Sequence, residues 1–123
     1  MSGEQPWTIC ISPEVARVVL RWASGGPADQ RRSAAFHHAV DLLRLNGTRA
    51  SLTKKIKGVE GLWQTRAGDD RIYFDTAPGG RIALGLVEPK LASQRPQRTY
   101  QHYARAVREF KDKVEAAGSA DCP

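Results

Sequence analysis

No stretch of this sequence is apolar for anything near the roughly twenty residues a helix needs to cross a bilayer, so no membrane association is expected. Cysteine is scarce. Cys10 falls in an alternating segment and Cys122 near the end of the chain, and without a secretory context they read as two free thiols. Three histidines at unhelpful spacings, with no further cysteine, argue against a zinc site; no metal and no cofactor is implied. Met1 to Pro6 carry neither the basic start nor the apolar core of a secretory signal, which makes the cytoplasm the expected location. There is no internal repeat and no linker. Acids are the minority charge: 13 Asp+Glu stand against 19 Lys+Arg, a formal net charge of +6. The resulting pI near 9.7 suggests a polyanionic partner. With 41% hydrophobic residues, a chain of 123 has enough for one core. A single domain is expected over residues 1–117, with 118–123 as a flexible tail.

What is present is a succession of short periodic segments. Trp7, Ile9 and Ile11 alternate with polar or small residues and predict a strand. Ser12-Pro13-Glu14 supplies a helix cap, a proline for the first turn and an acid near the helix start. Val15, Val18, Val19 and Trp22 then form one apolar stripe. Gly25-Gly26-Pro27 breaks this helix from a second, over about 28–45, with Phe36, Ala39, Val40 and Leu43 inward and Gly47 at its end. Residues 48–60 are polar and basic. Three strands follow at 62–66, 71–77 and 81–87, separated by turn formers. A last helix begins near Pro96 or Gln97, with Tyr100, Tyr103, Ala104, Val107, Phe110 and Val114 on one stripe.

Strand parity carries most of the chemistry. A loop at 67–70 sets Arg66 opposite Arg71 and Gln64 opposite Tyr73, with Trp63, Thr65, Ile72 and Phe74 on the other face. Opposed like charges are unfavourable unless an anion sits between them, so the arginine pair is either a phosphate clamp or two solvated side chains. The register of the next strand is ambiguous. A two-residue loop would set Leu84 and Leu86 among the arginines. A three-residue Pro78-Gly79-Gly80 loop with a bulge would place Ile82, Leu84 and Leu86 with Ile72 and Phe74, and is preferred because a slip exposes the hydrophobic set. Ala83, Gly85 and Val87 would then share the polar face, where Gly85 leaves room for a bound strand and Asp75 is the sole acid. Lys54, Lys55 and Lys57 could line the rim of that face, or form an ordinary charged loop. Lys90, Arg95, Arg98, Arg105, Arg108 and Lys111 make a second basic tract. Tyr100 and Tyr103 fit core packing with the hydroxyl at the edge, and His102 fits either a solvent-facing position or a functional one.

Several of these residues fall into one pattern: Lys57-Gly58, then Gly61-Leu62-Trp63-Gln64-Thr65-Arg66, then Gly68 and Arg71-Ile72-Tyr73-Phe74. An apolar strand ending in Val87, Lys90, and a proline-preceded helix containing Tyr103-Ala104-Arg105-Ala106-Val107-Arg108 complete it. From Leu52 to Lys113 the chain resembles the RelE/ParE toxin superfamily, its HigB-like branch most of all. The resemblance implies an α+β, RelE-like fold: a small, mainly antiparallel sheet of about four strands, an N-terminal helical hairpin and a C-terminal helix. It also implies the toxin of a type II toxin–antitoxin system, a ribosome-dependent, metal-independent mRNA endoribonuclease that inhibits translation. The partners would be a cognate antitoxin protein, the ribosome and mRNA. Arg71 matches the family's phosphate-stabilising arginine, Lys90 the basic position after the last strand, and Tyr103 the tyrosine of the final helix. His102 is a further catalytic candidate, while Arg66, Lys54, Lys55, Lys57, Arg95 and Arg98 would contact phosphates. Leu62 and Gln64 depart from the pattern, since RelE-type members carry basic residues there. Two other functions suit the same features: a ParE-like gyrase inhibitor of the same fold, and a nucleic-acid-binding module without catalysis.

Overall fold

Ser12 shows how local chemistry turns the first strand into the first helix. Its hydroxyl accepts a hydrogen bond from the Val15 amide at 3.3 Å and donates one to the Gly85 carbonyl at 3.3 Å. It thereby caps the helix and pins the cap to the sheet. The computed structural model describes residues 5–89, 96–118 and 121–123. Their order is β1 (Thr8–Ile11), α1 (Pro13–Ala23), α2 (Pro27–Asn46), β2 (Lys54–Lys55), β3 (Trp63–Ala67), β4 (Asp70–Ala77), β5 (Arg81–Pro89) and α3 (Gln97–Ala116). The strands form one sheet in the order β1-β5-β4-β3-β2, antiparallel except for the β1–β5 pair. The α+β architecture is as expected, with five strands among the described residues rather than about four. The additional one is β2, two lysines pairing with β3 inside the segment expected to be loop. Charged residues on so short an edge strand discourage further strand pairing.

Each face of the sheet has its own cover. On one side α1 and α2 bring Val15, Val19, Trp22, Phe36, Ala39, Val40 and Leu43 against Ile72, Phe74, Ile82 and Leu84. Gly47 ends α2 with φ +59, and a side chain there would overlap the Trp7 indole. The other side is covered by α3, whose Val107, Phe110 and Val114 pack on Tyr73, Ala77 and Ala83.

Two expectations need correction. The Pro78-Gly79-Gly80 connection does join Ala77 to Arg81, but β5 carries a bulge: Phe74 pairs with Leu84 and Tyr73 with Leu86, leaving Gly85 as the extra residue. Beyond it the parity reverses, so Leu86 joins Tyr73 beneath α3 and Val87 joins the helical-hairpin core. Gly85 makes room for α3, not for a bound strand; a Cβ there would lie 2.9 Å from the Val107 Cα.

The second correction concerns the thiols. Cys10 and Cys122 form a disulfide, with their Cα atoms 5.3 Å apart. Parity turns Cys10 toward Phe110 and Val114 of α3, and the chain after that helix returns to it. Nearby, Arg81 is only 2% exposed. Its guanidinium donates to the carbonyls of Pro78 at 2.7 Å, Val114 at 2.6 Å, Gly118 at 3.3 Å and Asp121 at 2.9 Å. A buried cation needs such partners, and carbonyls at a helix C-terminus suit it. The segment expected as a flexible tail is therefore tied to β1 at Cys122. Sequence spacing gives no sign of this contact, because the two cysteines lie 112 residues apart.

Candidate functional site

The end of the sheet that holds the β3–β4 turn carries the charged residues singled out above. Arg66 lies opposite Arg71, as the loop count predicts, and Arg71 lies opposite Glu88 on β5. The next row inward is Lys54, Gln64, Tyr73 and Leu86. Both rows sit on the α3 side. Arg66 is exposed and Arg71 half-buried, and among the described residues neither has a carboxylate within ion-pairing distance. Two unpaired guanidiniums side by side favour an oxyanion between them.

Above the Tyr73 row, the start of α3 forms a roof. Gln97 Nε2 donates to the Gly58 carbonyl at 2.9 Å, fixing the helix start to the loop after β2. Tyr100 and Tyr103 descend onto the buried Tyr73, with ring centroids 6.3 and 4.8 Å from it and 6.2 Å from each other. Both tyrosines are half-buried. They pack as core residues and also stand at the rim of the charged rows. Gln64 and Tyr73 are themselves covered, so the polar face is not open along its length, whereas Arg66 at the turn end is exposed.

The structure separates the remaining candidates. Lys54 shares the row of Gln64, which puts a cation beside the position where the resemblance expects one and the sequence has glutamine. Lys55 pairs with Trp63 and flanks a groove farther along α3; Lys57 is exposed in the loop. Arg98 and His102 are both exposed, and His102 takes no part in the tyrosine cluster. Lys90 and Arg95 lie outside the described residues. Glu88 was missed. The bulge brings it onto the α3 side, so Asp75 is not the sole acid there, and Gly85 within a strand was the available signal. Asp75 is held by Lys111 at 3.0 Å, four positions along β4 from Arg71. Among the described residues no three His, Cys, Asp or Glu side chains converge as a metal-binding group.

Behind the arginines, Arg32 of α2 grips the β3–β4 turn. Its Nε and Nη2 reach the two Asp70 oxygens at 3.0 and 2.7 Å, and its guanidinium lies 4.3 Å from the centre of the Trp22 ring. The hydrogen bond from Arg32 to Asp70 raises the guanidinium pKa above its ordinary value, against the opposing effect of burial. Asp70 immediately precedes Arg71, so this fork fixes the backbone from which Arg71 projects.

In sequence, the chain matches no family model and no curated protein. In structure, it is similar to a chain of the archaeal RelE–RelB complex from Pyrococcus horikoshii OT3, with a TM-score of 0.54 and 18% identity. The match covers 72% of this chain and 99% of that one. The chain thus has the RelE-like fold that its motifs implied. No helix among the described residues is long and apolar enough to cross a membrane.

Proposed function

We propose that this protein is the toxin of a type II toxin–antitoxin pair and acts as an endoribonuclease on messenger RNA at the ribosome. The observation that carries the proposal is the Arg66–Arg71 couple, unpaired among the described residues, one row from the Tyr73 on which Tyr100 and Tyr103 pack, with Glu88 in the same row. The structural neighbour supports it, being part of a RelE–RelB complex. The Gly61-Leu62-Trp63 and Arg71-Ile72-Tyr73-Phe74 motifs favour the HigB-like branch.

The roles follow from the chemistry of RNA. A base removes the proton of a ribose 2′-hydroxyl, whose oxygen attacks the adjacent phosphorus. The bond to the 5′-oxygen breaks, and that oxygen takes a proton from an acid. Arg71, with Arg66 opposite, stabilises the charge that collects on the phosphorane oxygens; a guanidinium fork fits two of them and stays protonated. Glu88, opposite Arg71, and Tyr103, packed on Tyr73 of the next row, are the acid–base candidates, and Lys54 supports the neighbouring phosphate. His102, exposed on α3, has no role in this scheme. The products are a cyclic phosphate and a free hydroxyl end, and DNA lacks the nucleophile.

The test is to add purified protein to a translating extract and map the transcript ends. Cuts bearing cyclic phosphates are expected, together with resistance of a transcript carrying one deoxyribose at the cut site. Cutting at that deoxyribose would make water the nucleophile and end the proposed scheme. An intact transcript accompanied by loss of gyrase supercoiling would assign the protein to the ParE-like alternative.

A further inference from the structure

A groove runs between the loop after β2 and the outer flank of α3. Gly58, Val59 and Glu60 form one wall, and Gln101, Ala104, Arg105 and Arg108 the other, enclosing about 270 Å³. Ala104 belongs both to this wall and to the cluster containing Tyr73, Tyr100 and Tyr103, so the groove borders the tyrosine roof. Arg105 and Arg108 are exposed, and among the described residues neither is ion-paired. Against them in the groove stands only Glu60.

Farther along α3 the balance reverses. The adjoining groove holds Lys55, Arg108 and Lys111, but also Glu60, Asp75, Asp112 and Glu115, and Lys111 is already bound to Asp75. A polyanion following α3 from the Arg66–Arg71 couple would meet two free guanidiniums and then an acidic barrier. The spacing of Gln101, Arg105 and Arg108 puts them on one ridge of the helix, so both arginines address a single backbone.

We infer that this groove is the seat of the single-stranded RNA flanking the cleavage point, with Arg105 and Arg108 each holding one phosphate and the path ending at Arg108. The inference rests on the nuclease reading for its substrate and adds the direction in which the strand runs and where its contacts stop.

The experiment measures binding, independently of cleavage. A fluorescent single-stranded oligoribonucleotide, fully 2′-O-methylated so that it cannot be cut, is titrated with protein at several salt concentrations. Single strands lose about 0.7 in the slope of log K against log salt for each phosphate contact removed. Arg105→Gln/Arg108→Gln should therefore lower the slope by about 1.4 and weaken binding about 25-fold at 0.1 M salt relative to 1 M. Lys113→Gln, exposed beyond the groove, should leave the slope unchanged. A wild-type slope in the double variant, or an equal loss in Lys113→Gln, overturns the inference. So does a double variant that binds RNA normally but no longer binds its antitoxin, because the groove then seats a protein. Groove-dependent binding without transcript cleavage would remove the nuclease reading and leave the groove in place. Cleavage with an unchanged slope would do the reverse.

Discussion

Replacing Arg32 with methionine tests how the two faces of the sheet depend on one another. The side chain of Asp70 is 3% exposed and that of Arg32 39%. Removing the arginine leaves a buried carboxylate without its counter-charge, which costs about 3–5 kcal/mol in comparable buried pairs. Partial exposure of Arg32 screens the pair and favours the lower end, about 3 kcal/mol; methionine keeps some of the contact with Trp22 but loses the cation–π attraction. With an unfolding entropy scaled to 123 residues, that corresponds to a melting temperature about 12 °C lower. Arg32→Met/Asp70→Asn should recover part of the loss, since the orphaned charge is gone, and the double-mutant cycle then isolates the coupling. Arg32 has its pKa raised, so its contribution would be lost only as pH climbs through that raised value. Urea unfolding between pH 7 and 9 should show no loss from this pair. A single-variant effect under about 1 kcal/mol would make Arg32–Asp70 an ordinary surface bridge and refute the argument that it fixes the turn carrying Arg71.

Arg71→Ala should reduce cleavage about a hundredfold or more while circular dichroism stays that of the wild type, because a half-buried rim arginine leaves no core cavity. Tyr103→Phe keeps the ring on Tyr73 and should cost about 1 kcal/mol of stability but far more in rate; a melting shift without a loss of cleavage per folded molecule would leave Tyr103 a packing residue. Reduction of Cys10–Cys122 should lower stability by about 5 kcal/mol, the chain-entropy value for so long a loop, and Cys122→Ser should abolish the effect of reductant. An unfolding curve indifferent to dithiothreitol in the wild type would contradict the bond.

Parity made the first hairpin legible. Counting across residues 67–70 was enough to oppose Arg66 with Arg71 and Gln64 with Tyr73, because each step along a strand reverses the face. The helices were legible for the same kind of reason, their stripes and caps being local. Three features were not. Lys54–Lys55 is too short to show alternation, and only its partner β3 makes it a strand. The disulfide and the carbonyl cage of Arg81 join positions brought together by the whole fold. Most consequential, the bulge at Gly85 cannot be located by periodicity, since the sequence on either side reads as one apolar run.

That extra residue ties fold to site. Before it, Ile82 and Leu84 face the helical hairpin; after it, Val87 does, while Leu86 fills the space under Tyr73. In an unbulged strand Leu86 would stay with Leu84, Val87 would take the place beneath the tyrosines, and Glu88 would turn to the helical-hairpin side, opposite the buried Asp70. Two carboxylates sharing Arg32 there would repel one another, in addition to the cost of burying the second. The bulge removes the cost by sending Glu88 to the opposite face, and there it stands opposite Arg71. The requirement that keeps Glu88 away from Asp70 is therefore also the one that places a carboxylate in the row of the two arginines, so the packing of β5 and the chemistry proposed for its end depend on the same inserted glycine.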